Sequence, residues 1–221
     1  MTNFYLNKLI YFVLLIGIGC HEDNPGDKDV LMAGGLQIVN EPLAYPLEKA
    51  TETSIDIEKS IIRWKGTKMM YTGKHEGTLN LKDGVLLFDD DKLVGGRVVA
   101  DMKSILVTDM PSHETIPIRN LTTHLNSDFD TEKYLTSSFE IIQVEYLNDS
   151  LLTISGNMSI KDVSKNISIT SHIRTIQEDQ KQLDAQFTIN RFEWNIGIDG
   201  SWLEKKLVDK EIELIIRIIT K

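Results

Sequence analysis

The chain has one cysteine, five prolines and five alanines in 221 residues. A lone cysteine cannot form an intramolecular disulfide, so an exported domain built from this sequence is held by its core and not by cross-links. Fourteen glycines and five prolines are too few for a collagen-like or low-complexity chain. Basic residues are also short, with 24 Lys and Arg against 33 Asp and Glu and a formal charge of -9. A net acidic surface repels phosphate backbones, and no Lys/Arg cluster carries interleaved aromatics, so no nucleic-acid partner is expected. No Gly-x-Ser-x-Gly elbow, P-loop or Gly-x-Gly-x-x-Gly run offers nucleophilic or nucleotide chemistry. The five histidines form no metal-ligand pair, so neither a metal nor another cofactor is expected.

What the chain has in plenty is β-branched residues: 27 Ile, 17 Thr and 11 Val. Their stiff χ1 favours strands, and with so little alanine the expected class is mostly β.

The N-terminus reads as an address. Lys8 precedes the apolar run Leu9 to Gly19, which is too short to span a bilayer and ends at the only cysteine, Cys20. Gly17-Ile18-Gly19-Cys20 resembles a bacterial lipobox, which implies cleavage of residues 1–19, acylation of Cys20 and a membrane partner through that anchor. Residues 20–52 read as an acidic tether and irregular leader, opening with His21-Glu22-Asp23-Asn24-Pro25-Gly26-Asp27. An acidic run just after the lipidated cysteine resembles the surface-export signal of Bacteroidetes-type lipoproteins. The location expected is the bacterial cell envelope, lipid-anchored, facing the periplasm or the outer surface.

From residue 53 to 221 the apolar period is two. Leu152, Ile154, Gly156, Met158 and Ile160 share one face of a strand, and Thr153, Ser155, Asn157 and Ser159 the other. The same alternation points Ile167, Ile169, Leu183, Ala185, Phe187, Ile189, Ile212 and Leu214 inward, with Ser168, Thr170, Gln186 and Thr188 outward. In the N-terminal half, Ile62, Trp64, Gly66, Gly77, Leu79 and Leu81 read as inward. Asp83-Gly84, Gly95-Gly96, Asn148-Asp149-Ser150 and Asp199-Gly200 read as the turns between strands. Eight to nine short strands, with a helical insertion only near 120–134, predict an antiparallel sheet closed as a barrel or stacked as a sandwich. Small inward residues, Gly66, Gly77, Gly156 and Ala185, lean towards a barrel with room inside; the opposing reading is that the glycines mark bulges or close packing in a full core.

Two polar sites stand out. His124, Asp128 and Asp130 could assemble a metal or acid/base site, or could form a turn with Phe129 packed inward. Arg191 follows an inward-alternating strand. At a barrel rim it could contact an acidic head group, or tie two loops together through a carboxylate.

Four segments then carry a family resemblance. The run Leu121 to Phe139, with His124-Leu125, Ser127, Asp128-Phe129-Asp130, Glu132 and Tyr134, is similar to a segment of YceI-like polyisoprenoid-binding proteins. Ser155 to Lys165 resembles their hairpin, and Phe187-Thr188-Ile189-Asn190-Arg191 through Trp194 to Gly197 another segment; Val208 to Leu214 resembles their closing strand. The resemblance implies an extended, lipocalin-like antiparallel barrel of about eight strands whose apolar interior takes a long isoprenoid, quinone-like or fatty-acyl chain. On that reading Trp64, Leu79, Leu81, Leu152, Ile154, Met158, Ile167, Ile169, Leu183, Ala185, Phe187, Ile189, Ile212 and Leu214 are the ligand-contacting set. The expected role is a lipid-anchored carrier and not an enzyme; the alternative is an envelope module with a closed core. A homodimer stays open.

Overall fold

Alternating β-branched residues give long antiparallel strands only where each finds a neighbour, and here every long strand finds two. The computed structural model describes residues 49–68, 73–177, 179–198 and 208–221. Among them are eleven strands and one α-helix: β1 (Thr51–Ser54), β2 (Ile61–Lys68), β3 (Lys74–Leu79), β4 (Leu81–Asp89), β5 (Lys92–Asp101), β6 (Leu106–Val107), α1 (Thr115–Asp128), β7 (Thr136–Tyr146), β8 (Leu151–Ile160), β9 (Val163–Gln177), β10 (Gln180–Asn190) and β11 (Val208–Ile219). The expected signal peptide, Cys20 and most of the expected leader fall in residues 1–48, outside the described residues. β1 starts at Thr51, two residues ahead of the expected start of the barrel.

The sheet order is β1-β4-β5-β7-β8-β9-β10-β11-β2-β3-β6. Three pairs of segments each make one long stave: β3 runs into β4 across Asn80 alone, β5 into β6 across a 3-10 turn at Met102–Ser104, and β1 into β2 across a turn at 56–60. β3 pairs β2 while β4 pairs β5 and β1, so the pairing returns on itself. Eleven strands less these three joins give eight staves, the size at which a barrel interior is filled by side chains or holds one small ligand. The seam is stitched at Ile55, which bridges Thr220, and at Ser60, whose Oγ accepts from Ile219 N at 2.9 Å.

The strand phase agrees with the alternation. Ile154 and Ile169 are buried, while Ser168, Thr170, Gln186 and Thr188 are exposed. Because a slip of one residue would invert every side chain, this agreement fixes the register of the C-terminal half. The turns differ from expectation. Asp83-Gly84 lies within β4 and Gly95-Gly96 within β5; the hairpin between them turns at Asp90, with φ 51°, a conformation Asp tolerates better than most residues. β5 and β6 are separated because Asp101 Oδ1 accepts from Lys103 N at 3.0 Å and caps the intervening 3-10 turn. Asp199-Gly200 lies outside the described residues.

The helix begins five residues earlier than the expected insertion and ends at Asp128, residues 129–133 being turns. Pro117 sits in its first turn, where no N–H is needed. Ile118, Leu121 and Leu125, spaced three and four apart, form its half-buried stripe.

Core packing divides the barrel along its axis. At the end where β1 begins and β11 finishes, Leu86, Phe88, Leu93, Leu152 and Ile173 are closely packed, Leu152 being 0% exposed. Burying one such side chain contributes roughly 1.5–3 kcal/mol. At the α1 end a smaller cluster gathers Met158, Ile160, Ile189, Trp194 and Ile196. Trp194, 1% exposed, donates from Nε1 to Met158 O at 3.2 Å, which anchors the 3-10 turn Arg191–Trp194 over the strand ends.

Candidate functional site

Between the two clusters the barrel is hollow. A cavity of about 230 Å³ runs along its axis, walled by alternate residues of the strands. Trp64 and Leu79 supply one side of the wall. Ile154, Met158 and Ile169 come from β8 and β9, and Leu183, Ala185, Phe187 and Ile189 from β10. Ile212 and Leu214 of β11 complete it. The alternation thus brings eleven of the fourteen predicted interior residues to one surface. Leu81, Leu152 and Ile167 do not line it: the first two are buried in the larger core cluster, and Ile167 packs against both clusters from a half-buried position.

The cavity has a floor and a mouth. Its lining stops at Leu86, Leu183 and Ile218, all buried, and below them the barrel is filled. At the other end it reaches Val208 and His124, both exposed, beneath the last turn of α1. Leu125 and Phe129 roof that end.

Not every inward glycine leaves room, so the two readings of the small residues divide between positions. A side-chain carbon on Gly66 would meet nothing within 4 Å, and Gly66 lines the cavity. A carbon on Gly77 would collide with Leu106 O and with the Trp64 ring, and one on Gly156 with Glu140 O. Gly156 lies opposite a bulge in β7, where the register shifts between Ile141 and Gln143. Gly77 and Gly156 therefore serve close packing, while Gly66 and Ala185 border open volume.

The polar groups at the mouth are spent on structure. Arg191 is only 5% exposed. Its Nε donates to Asp209 O at 3.1 Å, Nη1 to Ile196 O at 3.1 Å and Gly197 O at 3.4 Å, and Nη2 to Val208 O at 3.4 Å. It ties the turn after β10 to the start of β11 through main-chain carbonyls. Burial lowers its pKa, and the nearby Asp128 carboxylate opposes that shift. Gly197 sits between the two with φ 63°: a side-chain carbon there would lie 3.2 Å from Asp128 Oδ2 and would collide with Arg191 Nη1. Only glycine takes that backbone angle and that space at no cost.

Asp128 also faces His124, Nε2 to Oδ2 at 3.6 Å, one helical turn apart. Asp130 takes φ 48° in the turn that follows, and Phe129 packs inward, as the turn reading has it. Among the described residues no group of three His, Cys, Asp or Glu side chains is placed to hold a metal. A pair that sequence reasoning missed is His75 with Asp109, Nδ1 to Oδ2 at 3.0 Å; the ladder that pairs Gly77 with Val107 brings them together from 34 residues apart. Asp109 Oδ1 and Trp64 Nε1 are both buried with no hydrogen-bond partner among the described residues.

Several lining residues of the N-terminal half also escaped notice, among them Val98 and Ala100 of β5 and Phe139 and Ile141 of β7. Each pair is spaced by two, but consecutive buried residues in β5 and the bulge in β7 blur the period.

A sequence model of the YceI-like domain matches residues 54–219. A comparison with proteins of curated function finds no significant match. Among solved structures, Burkholderia cenocepacia BcnA superposes with a TM-score of 0.60 at 16% identity, over 76% of this chain and 99% of that one. A polyisoprenoid binding domain from Saccharophagus degradans, implicated in plant cell wall breakdown, gives 0.57 at 10% identity, over 78% and 99%. The Campylobacter jejuni YCEI protein gives 0.51 at 20% identity, over 65% and 84%. At such identities the structures speak for the fold alone, but the family model covers most of the chain and includes every stave that walls the cavity: the chain belongs to the YceI-like family.

Proposed function

We propose that this protein is a lipid-anchored carrier that holds one isoprenoid, quinone-like or fatty-acyl chain along the barrel axis. The observation that carries the reading is the cavity of about 230 Å³, whose walls are mostly aliphatic and aromatic side chains. An apolar chain entering such a space gains roughly 0.8 kcal/mol for each CH2 removed from water, so no catalytic group is needed for tight binding. The similarity to the polyisoprenoid binding domain of Saccharophagus degradans supports the same class of ligand.

The anchor belongs to the same proposal. Acylation at Cys20 would fix the protein to a bacterial envelope membrane, where its ligand is dissolved, and two or three acyl chains give stable attachment. Cys20→Ser is expected to leave the precursor unprocessed or the protein soluble. A variant that still fractionates with membranes at the mature size would refute the anchor.

Organic extraction of the purified native protein followed by mass spectrometry tests the carrier. A lipid at about one per chain is the expected result. A protein free of lipid, with no uptake from added isoprenoids, would instead favour the closed envelope module.

A further inference from the structure

Two buried side-chain polar atoms among the described residues lack a hydrogen-bond partner, Trp64 Nε1 and Asp109 Oδ1. One is a donor and the other an acceptor, and strand pairing brings them to one part of the wall. Gly77 pairs with Trp64 on one side and with Val107 on the other, and Gly66 pairs with His75 one rung nearer the mouth. Thr108 N donates to Glu76 O at 2.9 Å, which carries the β3–β6 pairing on and sets Asp109 opposite His75. Residues opposite each other in an antiparallel pair share a face. Trp64 and Gly66 line the cavity and Val107 is buried, so His75 and Asp109 belong to the inward face as well.

The indole turns its nitrogen side toward β3: a carbon on Gly77 would lie 2.8 Å from Trp64 Cε2, the ring atom bonded to Nε1. His75 Nδ1, 3.0 Å from Asp109 Oδ2, holds the carboxylate by one oxygen and leaves Oδ1 over. Open volume lies alongside, since a carbon on Gly66 would meet nothing within 4 Å. A polar atom buried without a partner has lost its hydration with nothing in return, so a bound group that supplies the missing bond gains accordingly.

We infer that Trp64 Nε1 and Asp109 Oδ1 form a subsite for a hydroxyl group, so that the chain held in the barrel ends in a neutral alcohol or hydroquinone head and not in a carboxylate or phosphate. This rests on the carrier reading above and narrows it. A hydroxyl is the smallest group that answers both atoms: its oxygen accepts from the indole N–H and its O–H donates to the carboxylate. A carboxylate has no proton to donate, and any anionic head would meet Asp109 as well as Asp128, Asp209 and Glu211, which line the cavity. Arg191 lines it too, but its N–H groups already donate to four carbonyls.

Competition for the delipidated protein, read by native mass spectrometry, tests this with three ligands built on one prenyl chain of four isoprene units: the alcohol, its phosphate, and the hydrocarbon in which a methyl group replaces the hydroxyl. The wild type should prefer the alcohol to the phosphate by about tenfold or more. Trp64→Phe, which keeps a ring but loses the N–H, should weaken the alcohol relative to the hydrocarbon by about tenfold. Taking that ratio cancels the ligands' own difference in hydration and any shared change in packing. Asp109→Asn, which keeps the shape and removes the charge, should narrow the gap between alcohol and phosphate by about tenfold. A phosphate that binds the wild type as tightly as the alcohol, or ratios unmoved by both substitutions, would overturn the subsite and leave the carrier reading standing. Failure of all three ligands to bind the wild type would overturn both.

Discussion

The carbonyl of Glu140 occupies the space that a side chain on Gly156 would need, with the Phe139 ring 2.8 Å from the same point. Gly156 thus belongs to the packing between β7 and β8 and not to the hollow of the barrel. Gly156→Ala should destabilise the fold by about 1–3 kcal/mol through overpacking. Gly66→Ala, placed against open space, should be neutral or slightly stabilising, since it lowers the entropy of the unfolded chain. Urea denaturation of the two variants checks the contrast, and equal losses would contradict it.

Arg191 holds four main-chain carbonyls at once, so its loss strands acceptors that the fold has buried. Arg191→Met should cost on the order of 3 kcal/mol. Arg191→Lys should recover little, because a single ammonium cannot reproduce the planar fork. If Arg191→Met melts like the wild type but loses lipid, the residue is a head-group contact and not a tie between turns.

Asp184 should make stability depend on acid. Burial raises its pKa, but Arg217 Nε at 2.7 Å and Gln182 Nε2 at 2.5 Å donate to the carboxylate, and the net shift is downward. A carboxyl whose pKa is lower folded than unfolded stabilises above its unfolded value, near pH 4, and loses that contribution as pH falls through the folded one. The pair is part exposed, so its contribution is below about 1 kcal/mol. Asp184→Asn should therefore be less stable than wild type at neutral pH, and the gap should close below about pH 4. A gap that is unchanged by acid would show that the carboxylate's charge is not involved.

The hydroxyl of Ser60 closes the barrel seam from both directions, donating to Ile219 O at 3.4 Å and accepting from Ile219 N at 2.9 Å. Ser60→Ala should cost about 1–3 kcal/mol, the penalty for a buried N–H left unpaired. Faster amide exchange at Ile219, with β8 unaffected, would locate the damage at the seam; unchanged exchange there would contradict its role.

The C-terminal half was legible because its strands keep a strict period of two: Leu152 to Ile160 and Leu183 to Ile189 each place their apolar residues inward without interruption. The N-terminal half was harder to read. Asp83-Gly84 and Gly95-Gly96 have turn composition, yet each lies in a strand where a neighbour approaches closely: a carbon on Gly84 would sit 2.5 Å from Ile55 Cδ1 and one on Gly96 2.9 Å from Leu86 Cα. Local propensity cannot report such a long-range approach. The same holds for the site. Alternation identified the wall, but the depth of the floor depends on which buried residues pack together across staves, and Leu81 and Leu152 look no different in sequence from Leu79 and Ile154. The duty of Arg191 was open for the same reason, since its four acceptors are brought to it only by the folded turn.

Lipid stoichiometry in wild type and Ala185→Phe, purified side by side and measured by native mass spectrometry, tests the central claim most directly. Ala185 borders the cavity and is only half-buried, so a phenyl ring can enter the open volume without displacing backbone. The account predicts about one lipid per wild-type chain, little or none on the variant, and a melting temperature for the delipidated variant at or above that of the delipidated wild type, because filling a cavity removes a cost of about 24 cal/mol per Å³. Equal lipid on both proteins, or none on either together with a destabilised variant, would contradict it.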